Sequence, residues 1–207
     1  MEKLVRKAAG RIARRQGLTG EQEAGVAYGL LAFTQMLVSL VLAALFGLLT
    51  GTLASCLTVC LGVGALRKFT GGAHARTMGG CIAVSLLTMA VMALLSEYLL
   101  VRFLPPAALC GVSLAAYFPA FLLVWKRAPV ASEKKPIRSA DKIRRLRRGA
   151  LVLLTVCLLF TIALTAASVP GIRPPLLFLR IASALALAVL WQSLTLTRTV
   201  CRLFHNA

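Results

Sequence analysis

Six long apolar runs divide this sequence and leave few options other than a bundle of membrane-spanning helices. The runs cover about residues 24–46, 52–66, 81–101, 107–125, 149–168 and 176–196. Each is near the roughly 20 residues that a helix needs to cross about 30 Å of hydrocarbon, although the second run is short. Apolar residues continue through each run without alternation, which indicates helices and not barrel strands. We predict an all-α polytopic membrane protein that forms a single domain over residues 1–207.

The basic residues lie between these runs. The chain is 59% hydrophobic and carries a net charge of +18. Such a charge is typical of nucleic-acid-binding proteins, but here few aromatic residues accompany it. Cytoplasmic loops of membrane proteins are rich in Lys and Arg and contact anionic lipids. We therefore expect these charges to face an anionic lipid membrane, and we expect no nucleic-acid partner.

The order of the basic segments predicts the orientation of the chain. Nearly all Lys and Arg residues lie in segments 1–18, 67–80 and 126–148 and in the tail after residue 196. Two spans separate each segment from the next, so all four segments share one face of the membrane. The excess of Lys and Arg predicts that both termini and the 67–80 segment face the cytoplasm. A single wrongly assigned span would put basic segments on both faces, which supports the count of six.

The first 18 residues are too polar to span a membrane. Their apolar residues recur at helical spacing, and basic residues fill much of the rest: Leu4, Val5, Ala8, Ile12 and Ala13 among Lys3, Lys7, Arg11, Arg14 and Arg15. This pattern is typical of an amphipathic helix at a membrane surface. We predict such a helix over residues 1–18.

A histidine and a cysteine flank the glycine-rich segment before the third run. His74 and Cys81 are seven residues apart, which is roughly 10 Å along an unbroken helix. Proton transfer between them needs about 3 Å. Because the pairs Gly71-Gly72 and Gly79-Gly80 favour tight turns, we predict that residues 67–80 fold back and bring the imidazole to the thiol.

Together these two side chains could form a thiolate nucleophile and its base. Cys81 is expected in the first turn of the third span, where the helix dipole favours a thiolate and unpaired N–H groups could hold an oxyanion. Arg67, Lys68 and Arg76 add positive charge nearby. The alternative is a solvated loop histidine beside an ordinary membrane cysteine, since no orienting Asp or Asn is evident.

The other five cysteines suggest neither a disulfide framework nor a metal site. Four lie inside apolar runs and one in the basic tail: Cys56, Cys60, Cys110, Cys157 and Cys201. Free cysteine in such places behaves as a small hydrophobic residue. Cys56 and Cys60 are one turn apart, but no further ligand lies near them in sequence. We expect no metal and no other cofactor.

The long basic segment before the fifth run allows two interpretations. Ten Lys and Arg residues lie between Lys126 and Arg148, against only Glu133 and Asp141. Pro129 and Pro136 predict extended chain within it. It is either a loop whose charge orients the protein, or a docking surface for an acidic peptide tail. Four arginines would supply that surface: Arg144, Arg145, Arg147 and Arg148.

Two motifs resemble those of the accessory gene regulator protein B (AgrB) family of bacterial membrane endopeptidases. The first is Arg67-Lys-Phe-Thr-Gly-Gly-Ala-His-Ala followed by Cys81, and the second is Ala-Pro-Val-x-x-x-x-Lys-Pro-Ile at 128–137. Tyr28-Gly29 also fits. The motifs stand in the family's order and distance, and the six apolar segments cover nearly all of the chain. Ala131-Ser132 departs from the acidic residue often found there, which puts a role for that carboxylate in doubt.

The resemblance implies a function and a set of site residues. Cys81 would be the nucleophile and His74 its base, with Arg67 and Gly72 shaping the site. The substrate would be an AgrD-like quorum-sensing precursor peptide with an amphipathic leader, a signal core and an acidic tail. The enzyme would cut before the tail, keep the core as a thioester and release a thiolactone or lactone ring. The resemblance also implies a homodimer in the bacterial cell membrane.

A small permease or peptide exporter without covalent chemistry would also have six spans and basic loops. Such proteins usually carry polar or charged residues within the membrane, and Gln35 and Glu97 are the few candidates. A structural or regulatory membrane subunit that binds lipid through its basic face is a third possibility. Neither alternative needs His74 and Cys81, so substitution of Cys81 distinguishes them from the peptidase.

Overall fold

A computed structural model describes residues 2–72, 77–130, 139–166 and 175–201 of the chain. Almost all of these residues are helical. A π-helical segment, Leu95–Leu100, joins the fourth helix to the fifth. In chain order the helices are α1 (Glu2–Gln16), α2 (Gly20–Thr50), α3 (Leu53–Thr70), α4 (Met78–Leu94), α5 (Val101–Phe103), α6 (Pro106–Arg127), α7 (Ala140–Ala166) and α8 (Leu176–Leu194).

In the described part of the chain, six helical segments are long and apolar enough to cross a membrane, as the sequence predicts. α4, the π-helical segment and α5 together form one of them, Gly79–Phe103. The others are α2, α3, α6, α7 and α8. α3 has 18 residues, because it extends beyond its apolar run to include Arg67 and Lys68. The helix is therefore longer than the short second run alone indicated. The all-α polytopic fold is therefore confirmed.

The reversal between α2 and α3 depends on two glycines. Gly51 ends α2 in the left-handed region, with φ of 69°, where an L side chain would be strained. A Cβ on Gly47 would lie 2.6 Å from Leu53 Cα, so the two helices can meet only if this position lacks a side chain. The chain therefore reverses at Gly51 and Thr52, which places α3 antiparallel to α2.

The two ends of the bundle differ in charge. The end of the bundle at which α3 and α6 terminate is called the basic end. The last turns of these two helices contain Arg67, Lys68, Lys126 and Arg127. The end that carries the Gly51 turn is called the opposite end. α4 and α7 begin at the basic end and α8 finishes there, so the segments that hold the motif residues meet at this end.

α8 is the most buried of the six spans and forms the centre of the bundle. It packs against α3, α6 and α7, and small residues such as Ala184 and Ala188 allow close approach. A Cβ on Gly62 of α3 would lie 3.3 Å from Ala188 Cβ. Small residues are typical of packed membrane helices, because no hydrophobic effect drives helices together within lipid. α2, by contrast, is the least buried span and lies at the edge of the bundle.

A charged pair lies inside the membrane near the opposite end. Arg180 of α8 forms an ion pair with Glu97 in the π-helical segment, and Ser55 Oγ donates a hydrogen bond to Glu97 Oε2 at 3.2 Å. The Glu97 side chain is only 8% exposed. A buried charge is tolerated when a partner of opposite sign is fixed beside it. Arg180 was overlooked in the sequence, because it stands alone within an otherwise apolar run.

The basic segment before the fifth span is partly helical, and this corrects its interpretation as a loop from Lys126 to Arg148. α7 begins at Ala140, nine residues before the apolar run. Ile143, Leu146 and Ala150 recur at intervals of three and four residues and are half-buried or buried, so they continue the packed face of the span. The four arginines therefore lie on the first turns of a helix. Glu133 and Pro136 lie outside the described residues.

The N-terminal residues form a helix that packs against α2. Ala9 and Ala13 of α1 are buried, whereas Leu4 is largely exposed. A Cβ on Gly10 would lie 3.2 Å from Glu23 Oε1 in the first turns of α2. Helix α1 thus covers the start of α2 at the basic end. That it rests on a membrane surface stays a prediction.

Candidate active site

Cys81 lies in the first turn of α4 and is buried, with 6% of its surface exposed. Thr77 caps the helix: its hydroxyl accepts a hydrogen bond from Gly80 N at 3.0 Å, and its carbonyl accepts one from Cys81 N at 3.0 Å. The N–H groups of Gly80 and Cys81 are therefore engaged. Of the helix's own N–H groups, those of Met78 and Gly79 have no partner within the helix and could hold an oxyanion.

Gln35 is the polar partner of the cysteine. Its Nε2 donates a hydrogen bond to Cys81 Sγ at 2.8 Å, across 46 residues of sequence. Gln35 lies midway along α2. The sequence analysis identified it only as a polar residue within the membrane that a transporter could use. The structure places it against the thiol instead.

Both residues lie toward the basic end of the bundle. Tyr98 OH donates to Thr50 O at 2.9 Å, which fixes α2 and the π-helical segment at the same level near the opposite end. At a helical rise of 1.5 Å per residue, Gln35 lies about 22 Å from that contact toward the basic end, measured along α2. Cys81 lies about 25 Å from it in the same direction, measured along α4. α4 begins three residues before Cys81, so the cysteine lies at the basic end of its helix.

The chain between α3 and α4 is broken by one of the two predicted glycine pairs. α3 ends at Thr70, and Gly71 and Gly72 have φ of 67° and 125°. The second pair, Gly79-Gly80, does not break the chain, because the Thr77 cap starts α4 before it. No continuous helix runs through 74–81, since Thr77 is extended. His74 and Arg76 lie outside the described residues, so the approach of the imidazole to Cys81 stays a prediction.

The two sequence motifs meet in space directly after α3. Val130 N donates to Thr70 O at 2.9 Å, and Gly71 and Val130 form a parallel β-bridge. A Cβ on Gly71 would lie 2.1 Å from Val130 O. The first motif therefore needs glycine here, both for its backbone angles and for the second motif to pack against it.

The end of α8 holds the same segment from another side. Gln192 Nε2 donates to Thr70 Oγ1 at 2.9 Å and to Gly71 O at 2.8 Å. A Cβ on Gly72 would lie 2.7 Å from Thr195 Oγ1. Gly72, expected to shape the site, is thus required by close packing two residues before His74. The sequence analysis missed Gln192 and Thr195. The signal that could have identified Gln192 is a single amide side chain near the end of an apolar run.

The four arginines have different surroundings. Arg147 is half-buried, and its Nε donates to Ala128 O at 2.7 Å, which ties α7 to the second motif. Arg144 is exposed and pairs with Asp141 at 3.3 Å. Arg145 and Arg148 are exposed. Arg144, Arg145 and Arg148 are therefore exposed, whereas Arg147 connects α7 to the second motif.

The remaining candidate residues are also placed. Arg67 is half-buried in the last turn of α3, and its carbonyl accepts from Gly71 N at 2.9 Å. All six cysteines are free. Cys201 Sγ donates to Thr195 O at 3.4 Å and so borders the Gly72 packing. In the described ranges, no three His, Cys, Asp or Glu side chains are grouped as metal ligands.

Comparison with known proteins gives a consistent result. The sequence model of the family described as Accessory gene regulator B matches residues 5–196. "Putative AgrB-like protein 2" of Clostridium perfringens strain 13 is 23% identical over 200 residues, which cover 95% of this chain and 91% of that protein. "Putative AgrB-like protein" of strain SM101 is 24% identical over 162 residues, 78% of this chain and 76% of that protein. No solved structure matches.

Proposed function

The chain belongs to the accessory gene regulator B family, and from this premise we propose that it is a membrane-embedded cysteine endopeptidase. Membership supports a role in agr quorum-sensing peptide processing, with an AgrD-like precursor as the substrate. In this proposal the enzyme removes the acidic tail of the precursor and closes its core into a thiolactone or lactone ring. The site faces the cytoplasm of a bacterial cell.

The placement of Cys81 is the observation that supports this function. Among the described residues it is the cysteine in the first turn of a span at the basic end, and an amide donor contacts its sulfur. Cys56 and Cys110 lie near the opposite end instead, in the first turns of α3 and α6. Gly71 and Gly72, which lead toward His74, pack against Val130 and Thr195 at this same end.

The proposed reaction has two acyl transfers. His74 takes the thiol proton of Cys81, and the thiolate attacks the carbonyl carbon before the tail. The C–N bond breaks, the tail nitrogen takes the proton from the imidazolium, and the leader and core remain as a thioester. A thiol or hydroxyl of the core then attacks that thioester, which closes the ring and returns the Cys81 thiol.

Burial of the sulfur explains how a thioester could survive. Turning a peptide amide into a thioester is unfavourable, and water would hydrolyse the product before the ring closed. Cys81 is nearly fully buried among the helices. A site of this kind excludes water from the reactive intermediate. Binding of the departing tail to exposed arginines would help to draw the unfavourable step forward.

The transporter alternative loses its two polar candidates. Gln35 is hydrogen-bonded to Cys81, and Glu97 is engaged by Arg180 and Ser55. Such contacts are expected of a reactive site and of a structural contact between helices. The peptidase therefore accounts for more of the polar residues within the membrane.

Trapping the thioester tests the proposed function. A precursor whose core nucleophile is replaced by alanine should stop the reaction at the acyl-enzyme. Intact-mass spectrometry should then show the leader and core added to the wild-type protein, and hydroxylamine should remove them. Cys81→Ala with the same peptide is the control and should show no adduct. Release of the tail without any adduct on Cys81 would contradict the proposal.

The exposed arginines are proposed to recruit the acidic tail. Changing Arg144, Arg145 and Arg148 together to Glu should raise the KM for precursor by about tenfold or more, since exposed ion pairs contribute roughly 0.2–1 kcal/mol each. Added salt should raise the KM of the wild type in the same direction.

Arg147→Lys is the matched comparison. It keeps the charge but loses the planar Nε donor to Ala128 O, so it should lower kcat and leave the salt dependence of KM unchanged. Cysteine-accessibility mapping must show the same topology in every variant, because these charges also orient α6 and α7. An unchanged KM in the triple variant with intact topology would show that the tail docks elsewhere.

The active unit is proposed to be a homodimer. Gly25 and Gly29 lie one turn apart on α2, and a Cβ on either would meet nothing within 4 Å. Two such glycines allow a second helix to approach closely. Full activity of single copies in nanodiscs would refute the need for a dimer.

A further inference from the structure

We propose that Gln35 is a catalytic residue whose side-chain amide donates a hydrogen bond to the oxyanion that forms when Cys81 attacks. The inference rests on the proposed peptidase function and adds a named group to it. Gln35 belongs to neither sequence motif and lies on α2, whereas Cys81 lies on α4.

The contact between the two side chains places the donor where the reaction needs it. Gln35 Nε2 is 2.8 Å from Cys81 Sγ. In a bound acyl group the carbonyl oxygen is two bonds away from this sulfur, so a donor that touches the sulfur is close to that oxygen. A primary amide has two N–H groups. The amide can therefore serve the thiolate before attack and the oxygen after it.

The helix that carries the nucleophile leaves room for a further oxyanion donor. The N–H of a nucleophile at a helix start often points at the oxyanion, but Cys81 N donates to Thr77 O. Gly80 N is held by the Thr77 hydroxyl. The remaining N–H groups of the turn, those of Met78 and Gly79, lie at its very start. A side-chain donor on a neighbouring helix adds to these two N–H groups a donor that already contacts the sulfur.

The surroundings of Gln35 require its amide to have a hydrogen-bond partner. Its neighbours on α2 include Phe33, Met36 and Leu37, which are exposed apolar residues typical of a lipid-facing helix. An amide in that setting is unfavourable unless it is hydrogen-bonded. The amide donates to the thiol on another helix. The neighbouring Thr34 hydroxyl, by contrast, donates to Leu30 O of its own helix.

The step balances without proton transfer by Gln35. The thiolate forms the S–C bond, and the π electrons of the carbonyl move to its oxygen. The amide N–H then bonds that oxygen. When the oxyanion collapses, the C–N bond breaks and the leaving nitrogen takes its proton from the His74 imidazolium. Gln35 stays a neutral donor throughout.

The test compares acylation with a reaction that forms no oxyanion. In a background where the other five cysteines are replaced, Gln35→Leu should lower the single-turnover rate of tail release by about 10²–10³-fold, the loss typical of one oxyanion donor. The KM for precursor should stay within a few-fold of wild type. Gln35→Glu should lose at least as much, because a carboxylate cannot donate. Thr34→Val is the matched control and should react at near the wild-type rate.

Alkylation of Cys81 by iodoacetamide supplies the second readout. Its limiting rate at high pH, where the thiol is fully ionised, should change by no more than a few-fold in Gln35→Leu. An equal fall in alkylation and tail release would show that Gln35 only positions the sulfur, and would overturn the proposal. Near wild-type tail release by Gln35→Leu would overturn it as well.

The outcome for Cys81→Ala distinguishes a failure of the proposed peptidase function from a failure of the role of Gln35. If Cys81→Ala still cleaves the precursor, the proposed function fails and the role of Gln35 fails with it. If Cys81→Ala is inactive while Gln35→Leu is normal, only the role of Gln35 is rejected.

Discussion

Replacing Cys81 with alanine should reduce precursor cleavage by at least about 10³-fold and leave the protein folded in the membrane. Removal of a catalytic nucleophile costs far more than this in well-studied hydrolases, because the covalent route is lost completely. The substitution removes one heavy atom from a buried position in the first turn of α4. Helix content, membrane extraction and tail release, measured on the same preparations, check both parts of the expectation.

Cys81→Ser refines this result. A serine hydroxyl is far less acidic than a thiol, so a base that ionises the thiol does not ionise it. The serine variant should therefore also be inactive, although its size and hydrogen bonding are close to those of cysteine. Activity of the serine variant near that of wild type would mean that thiolate chemistry is not used.

The other cysteines provide the control. Combined replacement of Cys56, Cys60, Cys110, Cys157 and Cys201 should leave substantial activity. Cys201 is the sensitive member of this set, because its Sγ donates to Thr195 O beside Gly72. If the five-fold variant were inactive and Cys81→Ala active, the nucleophile would lie elsewhere and the assignment would be wrong.

Local pattern in the sequence was sufficient to predict the spans. Apolar length identified all six, and the chain leaves the helical conformation at Gly71-Gly72, where a break was predicted. These features depend on residues close together in the chain. Gly79-Gly80 were expected to break the chain as well, but the Thr77 side chain caps the helix before them and keeps both glycines helical.

Contacts between distant helices could not be predicted in this way. Gln35 and Cys81 are 46 residues apart, and Gln192 bonds Thr70 across 122 residues. In an isolated sequence each of these polar residues is a single irregularity within an apolar run. Their partners follow only from how the helices pack, which small residues on α8 determine. Arg180 was overlooked for the same reason.

The arrangement gives the two motifs a shared physical role. Arg147 holds Ala128 O, Val130 packs on Gly71, and Gln192 holds Gly71 O. The second motif, the start of α7 and the end of α8 thus fix the backbone just before His74. Sequence comparison assigns both motifs to one family, and the contacts explain why a substitution in either motif should disturb the same segment.

Gly71→Ala should lower the rate of tail release by about 100-fold, because displacement of about 1 Å in a catalytic segment can have that effect. Alanine would be strained at a φ of 67° and ψ of −137°, and its Cβ would overlap Val130 O. The segment could relieve the overlap only by moving away from the second motif, and His74 follows three residues later. The loss should appear mainly in kcat, since the exposed arginines that are proposed to recruit the tail are untouched.

Gly64→Ala is the matched control on the same helix. A Cβ on Gly64 would meet nothing within 4 Å, and the position is helical, so alanine should be tolerated and should stabilise α3 slightly. Iodoacetamide should alkylate Cys81 at similar rates in both variants, because Thr77 caps α4 independently of Gly71. Wild-type tail release by Gly71→Ala would show that contact between the motifs is unnecessary for catalysis. A parallel loss in Gly64→Ala would indicate a general defect of α3, whereas a loss confined to Gly71→Ala identifies the junction of the two motifs as the element that positions the base.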